Sequence, residues 1–256
     1  MWMCIAQSRF GKISESTKIF FLVIVHIILA LIMHNIQLLA TMHALLTMAA
    51  GAWIALTSKD IKRVIPVIAY FTGAEVLWCM TQANVFWEFD KYATFGILLI
   101  ALLKKRKIER AELPVLFFML LIPSIIITIN DLGFTEMSRQ AISFNLSGSL
   151  VASICILFFY QMKASLDDDM RVRVWEAVYP VLGVLILAAY NTITATEIQF
   201  VTDSIFVTSS GFGPDQVSAV LGLGALLLIM LNIQEQRSGG QLWSLLLTVA
   251  LLTQSG

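Results

Sequence analysis

The most restrictive feature of this chain is a series of long apolar runs, since about 20 consecutive apolar residues can cross a bilayer core as one helix. The run from Phe20 to Leu56 would reach about 55 Å as a single helix. It must therefore fold back, and the polar pair His34-Asn35 predicts the place. Only 13% of the 256 residues are charged, whereas a soluble domain carries about 25%. A soluble enzyme is excluded.

The apolar runs predict an all-α fold, a polytopic transmembrane helical bundle of about nine helices in a single transmembrane domain, 1–256, with no soluble domain. No small-residue cleavage site follows the first run, so it is a membrane helix rather than a signal peptide. The predicted helices lie near residues 19–33, 36–57, 64–81, 86–103, 112–129, 147–161, 175–192, 216–233 and 241–254.

The lysines and arginines predict the orientation of this bundle. Cytoplasmic flanks of membrane helices carry an excess of both residues. Of the 17 in the chain, all but Lys91 and Arg139 fall on the side that holds the N-terminus. The N-terminus is therefore predicted to be cytoplasmic, and Lys91 and Arg139 are predicted to face the outside.

Lys91 and Arg139 are candidate ligand-binding residues, because outward-facing cations could contact an anionic lipid head group or a pyrophosphate. A structural interpretation stays open for each. Lys91 could extend to the membrane interface beside Trp87 and Tyr92, and Arg139 could pair with Glu136 one helical turn back.

Glu75 and Glu88 are the candidate carboxylates. Glu75 lies inside the third apolar run, where a bare carboxylate would cost several kcal/mol unless it faced protein or water. It is either a functional group that transfers a proton or orients a sugar, or a protonated packing residue. Glu88 lies with Lys91 in a charged and aromatic segment at the outer membrane boundary.

A glycine turn precedes the eighth predicted helix, in the string GFGPDQVS of residues 211–218. Gly211, Gly213 and Gln216 are candidate binding residues, since free N–H groups at a helix start attract anions. The alternative is ordinary helix initiation with Pro214 in the first turn, and Asp215 would repel an anion placed there.

The pattern of residues does not predict a metal or cofactor site. His26, in an apolar stretch, is predicted to be a packed, hydrogen-bonded residue. The histidines and cysteines lack metal-ligand spacing, and no nucleotide loop or nucleophile elbow occurs. We therefore predict no metal, no cofactor and no nucleic-acid partner, with membrane lipid as the surrounding partner.

Four segments resemble those of the bacterial O-antigen ligase and O-antigen polymerase-like polytopic membrane protein family. They are SGFGPDQVSAVLGLG at 210–224, EVLWCMT at 75–81, FWEFDKY at 86–92 and FNLSG at 144–148. Their order agrees with the family, and the similarity spans most of the chain. Cys79 and Asp215 stand where the family usually has arginine and asparagine.

The resemblance implies a multi-pass protein of the bacterial inner (plasma) membrane that acts in cell-surface polysaccharide assembly. Such proteins are glycosyltransferases that move glycans from undecaprenyl pyrophosphate on the periplasmic face. The family continues past the ninth helix with a Ser-Arg-Gly motif, a large loop and helices that supply its essential arginine and histidine. This sequence ends at Gly256, so we expect an N-terminal fragment that is inactive alone.

Two other functions remain open at this point. A transporter or lipid-glycan flippase would also need many helices and a few buried charges, and Pro123 and Pro180 could mark kinks. A non-catalytic subunit of a polysaccharide assembly complex is the third possibility.

Overall fold

The computed structural model describes residues 15–105, 112–162, 169–194, 209–235 and 247–251. Every regular element in these ranges is helical, as predicted. The elements are α1 (Glu15–Asn35), α2 (Gln37–Thr57), a 3-10 turn (Ile61–Val64), α3 (Ile65–Met80), α4 (Phe89–Leu103), α5 (Glu112–Leu121), α6 (Pro123–Leu132), α7 (Glu136–Tyr160), α8 (Asp169–Thr194) and α9 (Pro214–Glu235).

Seven helical spans in the described ranges are long and apolar enough to cross a membrane, so the chain is a multi-pass, all-helical membrane protein. Helix α4, with 15 residues, is shorter than these spans. Of the ninth predicted helix, 241–254, residues 247–251 are helical and the rest lies outside the described residues.

The ends of two helices differ from the apolar runs for identifiable reasons. The fifth predicted helix, 112–129, is divided into α5 and α6, because Pro123 lacks an N–H group and occupies the first position of α6. Helix α7 begins at Glu136 rather than near 147, because Thr135 and Ser138 form a reciprocal capping box. Its first turns are polar, so a search for apolar runs does not detect them.

The chain folds back between α1 and α2, where only Ile36 is non-helical. The ring centroids of His26 and His43 lie 5.8 and 5.9 Å from that of Tyr70, so the two histidine rings are no more than about 12 Å apart. A straight helix would separate them by about 25 Å. The predicted turn beside His34-Asn35 is confirmed.

The described helices form two compact units, and the single transmembrane domain stays a prediction. Unit 1 comprises Met1–Leu46, Ile65–Asn84 and Asp167–Gly256. Helix α8 is its central element and packs against α1, α3 and α9. Of the most apolar stretch of α8, 78% is buried, and Pro180 lies inside this helix.

Unit 2 comprises Thr47–Val64 and Val85–Leu166. Helix α7 packs against α4, α5 and α6, and the 3-10 turn packs against α4. The span formed by α5 and α6 is only 6% buried, which is expected of a helix surrounded by lipid. The start of α4 and the first turns of α7 lie at the same end of this unit, and they form the site described next.

Candidate functional site

A cavity of about 720 Å³ opens in unit 2 between residues 86–88, which precede α4, and residues 137–145 of α7. This volume lies within the roughly 300–1,000 Å³ that is typical of small-ligand sites. Two predicted binding residues, Glu88 and Arg139, line it together although they are far apart in the chain. Trp87, Phe144 and Asn145 also line it.

Glu88 is the most buried polar group of the cavity, with 4% of its surface exposed. Its Oε1 lies 3.5 Å from Lys91 Nζ, and its Oε2 lies 3.5 Å from the hydroxyl of Ser143. That hydroxyl is 3.0 Å from the hydroxyl of Tyr92. When Ser143 donates to Glu88, Tyr92 donates to Ser143, so the carboxylate is oriented by a short hydrogen-bonded chain.

Lys91 and Arg139 both have carboxylate partners. Lys91 is paired with Glu88 and is mostly buried. Arg139 forms a two-pronged contact with Glu136 in which Nε donates to Oε2 at 2.9 Å. The structural interpretation of Arg139 is therefore confirmed. This pair is largely exposed, and solvent weakens such pairs.

Three large aromatic side chains present faces at this end of unit 2. Phe86, Trp87 and Phe144 are 58%, 62% and 60% exposed, and all three line the cavity. Phe86 is held in place by its edge contact with Phe89, at 5.6 Å between ring centroids. The cavity therefore combines flat apolar faces with a fixed carboxylate.

The other four predicted binding residues belong to unit 1 and do not line this cavity. Glu75 is half-buried on α3, and no described residue forms a hydrogen bond or ion pair with it. Gly211, Gly213 and Gln216 lie at the start of α9. Their binding roles stay predictions.

The glycine turn is built as a helix start. Ser210 and Gly211 have φ of +57° and +80°, and the side-chain amide of Asn191 donates to the Ser210 hydroxyl at 2.7 Å. Helix α9 begins at Pro214, as the initiation interpretation predicts. The N–H of Gln216 is bonded to the carbonyl of Gly213 at 3.1 Å, so this donor of the helix start is not free for an anion.

A buried polar network in unit 1 was not predicted from the sequence. The indole N–H of Trp78 donates to Nδ1 of His43 at 2.9 Å, and Nε2 of His43 lies 3.1 Å from the Tyr70 hydroxyl. Because an indole nitrogen only donates, Nδ1 carries no proton, and the proton on Nε2 is directed at Tyr70. His43 is thus a neutral residue that joins α2 to α3.

Two further observations concern histidine and buried charge in unit 1. His26 donates from Nδ1 to the Leu22 carbonyl at 2.8 Å and stacks on Tyr179, with 4.9 Å between ring centroids. The predicted packing role of His26 is confirmed. Glu176 of α8 is fully buried and was not selected from the sequence. Its position inside the predicted span 175–192 is the feature that could have identified it as a buried carboxylate.

Comparison with known proteins identifies no relative of this chain. No family model, curated protein or solved structure matches it. Among the described residues, no cluster of three or more histidine, cysteine or acidic side chains is placed to hold a metal ion.

Proposed function

We propose that this chain is a bacterial inner-membrane protein of cell-surface polysaccharide assembly that binds an undecaprenyl-pyrophosphate-linked glycan at the outer face of the membrane. The observation that carries this function is the cavity of unit 2. Segments 86–92 and 144–148 resemble one family and are remote in sequence, yet Trp87, Glu88, Phe144 and Asn145 line one space.

The charges at the two ends of unit 2 support an outward-facing cavity. Lys91 and Arg139 lie at the cavity end. Lys104 reaches the carbonyl of Ser58 at the opposite end, and the 3-10 turn with Lys62 and Arg63 follows directly. The more cationic end is the cytoplasmic one in a membrane protein.

The proposed role of this chain is to bind the lipid-linked glycan, and it does not include transfer of the glycan. The cavity offers a carboxylate, a hydroxyl, amides and a guanidinium, which are groups that hold polar ligands by hydrogen bonds. Transfer to an acceptor is a separate question, which complementation of a ligase-deficient strain by this chain addresses.

Binding can be tested with the protein in lipid nanodiscs, titrated with undecaprenyl-pyrophosphate-linked glycan and followed by native mass spectrometry. We expect a complex that Glu88→Gln weakens by about 10- to 100-fold, since the loss of a charged hydrogen bond costs about 1.5–3 kcal/mol. The matched control is Asp131→Asn, which removes an exposed carboxylate of α6 that does not line the cavity.

Two results would contradict this function. The first is wild-type protein that binds the lipid-linked glycan no better than an unrelated polytopic protein does. The second is equal weakening by Glu88→Gln and Asp131→Asn. Movement of the lipid-linked glycan across a vesicle membrane containing the purified protein would favour the transporter function instead.

A further inference from the structure

We infer that the cavity of unit 2 binds the sugar rings of the lipid-linked glycan and not its pyrophosphate. This inference rests on the proposed function and specifies which part of the ligand the site accepts. It follows from the balance of charge around the cavity, from its aromatic faces and from the unused hydrogen-bonding capacity of Glu88.

The charge balance is unfavourable to a pyrophosphate. A pyrophosphate site needs cations whose donors are available to phosphate oxygens. Lys91 and Arg139 each already hold a carboxylate, Glu88 and Glu136 respectively. Each of these ion pairs has no net charge, so neither cation is available to attract the phosphate groups of a polyanion.

The aromatic faces are suited to sugar rings. A pyranose has one face covered by C–H groups, and it loses little when that face leaves water to lie on an aromatic ring. Trp87 and Phe144 are both more than half exposed and line the cavity. Aromatic residues also gather at membrane interfaces without any ligand, so a tryptophan outside the cavity provides the necessary comparison.

The hydrogen-bonding groups complete a sugar site. Glu88 is buried, and its Oε1 accepts no hydrogen bond from any described residue, its ion-pair neighbour Lys91 being 3.5 Å away. A buried acceptor left in this state gains from a hydroxyl donor. The side-chain amides of Gln140 and Asn145 line the same space and can donate to hydroxyl oxygens and accept from hydroxyl groups.

The test compares two ligands on the full chain in lipid nanodiscs free of glycoside detergents. One is undecaprenyl pyrophosphate carrying the glycan, and the other is undecaprenyl pyrophosphate without sugar. We expect the glycan-bearing lipid to bind about tenfold more tightly, the size of one or two aromatic and hydrogen-bonding contacts. Inorganic pyrophosphate should not displace it.

Variants show whether the cavity produces this preference. Trp87→Ala should bring the ratio of the two affinities close to one, and Trp87→Phe should largely keep it because a stacking face remains. The matched control is Trp53→Ala, since Trp53 is 68% exposed on α2 and does not line the cavity.

The inference is overturned if the two lipids bind equally to the wild type, if Trp87→Ala leaves the ratio unchanged, or if inorganic pyrophosphate displaces the glycan-bearing lipid. In each case the proposed function stands when the lipid-linked glycan still binds specifically. Failure of the lipid-linked glycan to bind, while its free glycan binds in a Trp87-dependent manner, would instead reject the proposed function alone.

Discussion

Individual residues in the two units act mainly through close contacts. Gly73 of α3 lies against α8, where an added Cβ would meet the backbone carbonyl of Ala177 and approach Pro180 Cγ at 2.8 Å. Small residues are the usual solution where membrane helices approach closely, because dispersion contacts replace the hydrophobic effect between helices. The glycine is therefore a requirement of the α3–α8 interface.

We expect Gly73→Ala to destabilise the protein by about 1–3 kcal/mol, since the added methyl group forces α3 and α8 apart. Gly96→Ala is the matched control, because a Cβ on Gly96 of α4 meets nothing within 4 Å, and alanine favours a helix by up to about 1 kcal/mol. Reversible unfolding in SDS measures both. Equal behaviour of the two variants would contradict the assigned close approach.

His43 is the second residue whose effect follows from contacts. His43→Leu removes the acceptor of the Trp78 indole N–H and the polar partner of Tyr70, and we expect a loss of roughly 1–3 kcal/mol. His34→Leu is the control, because His34 does not belong to this hydrogen-bonded network. Half-buried His34 makes an edge contact with Tyr190 at 5.7 Å between ring centroids. A similar loss for both variants in the same unfolding assay would argue against the network.

At the level of elements, two adjacent lysines satisfy the ends of two helices in unit 2. Lys104 Nζ donates to the carbonyls of Ala55 and Leu56 in the last turn of α2, at 3.0 and 2.9 Å. Lys105 Nζ donates to the carbonyl of Gln161 at 2.9 Å, just after α7. Carbonyls at a helix end lack intrahelical donors and carry a partial negative charge, so these cations join α4 to its neighbours.

Two variants distinguish the hydrogen bonds of Lys104 to the helix end from the effect of its charge on membrane orientation. Lys104→Met and Lys59→Met each remove one cation from the same end of unit 2, and Lys59 is exposed. We expect only Lys104→Met to lower stability, by about 1–2 kcal/mol, because only it leaves carbonyls without their donor. Unfolding midpoints compare the two. A lower midpoint for Lys59→Met as well would assign the effect to charge alone.

For the whole molecule, orientation rests on the distribution of cations. Several of the 15 cations that are predicted to be cytoplasmic, among them Arg9, Lys12, Arg106 and Arg237, lie outside the described residues. Within unit 2 the separation is nevertheless present, with Lys104 beside Ser58 at one end and Arg139 at the cavity end. The cytoplasmic N-terminus stays a prediction.

Reporter fusions test the orientation. Alkaline phosphatase requires disulfides that form outside the cytoplasm, so we expect activity from a fusion after Asn84 and none from a fusion after Ser58. A fluorescent protein that matures in the cytoplasm should give the opposite pattern. Phosphatase activity from the fusion after Ser58 but not from the fusion after Asn84 would indicate the opposite membrane orientation, with the cavity on the cytoplasmic side.

The sequence by itself determined the helical class, the presence of several membrane-spanning helices and the turn near Asn35, because bilayer thickness and backbone hydrogen bonding act on local stretches of chain. It also selected Glu88 and Arg139 as candidate binding residues, and their binding roles stay predictions. Only the tertiary structure decided that residues 86–88 and 137–145 share one cavity and that Lys91 holds Glu88. These features depend on which helices pack together, and helical periodicity carries little information about contacts between residues more than 50 positions apart.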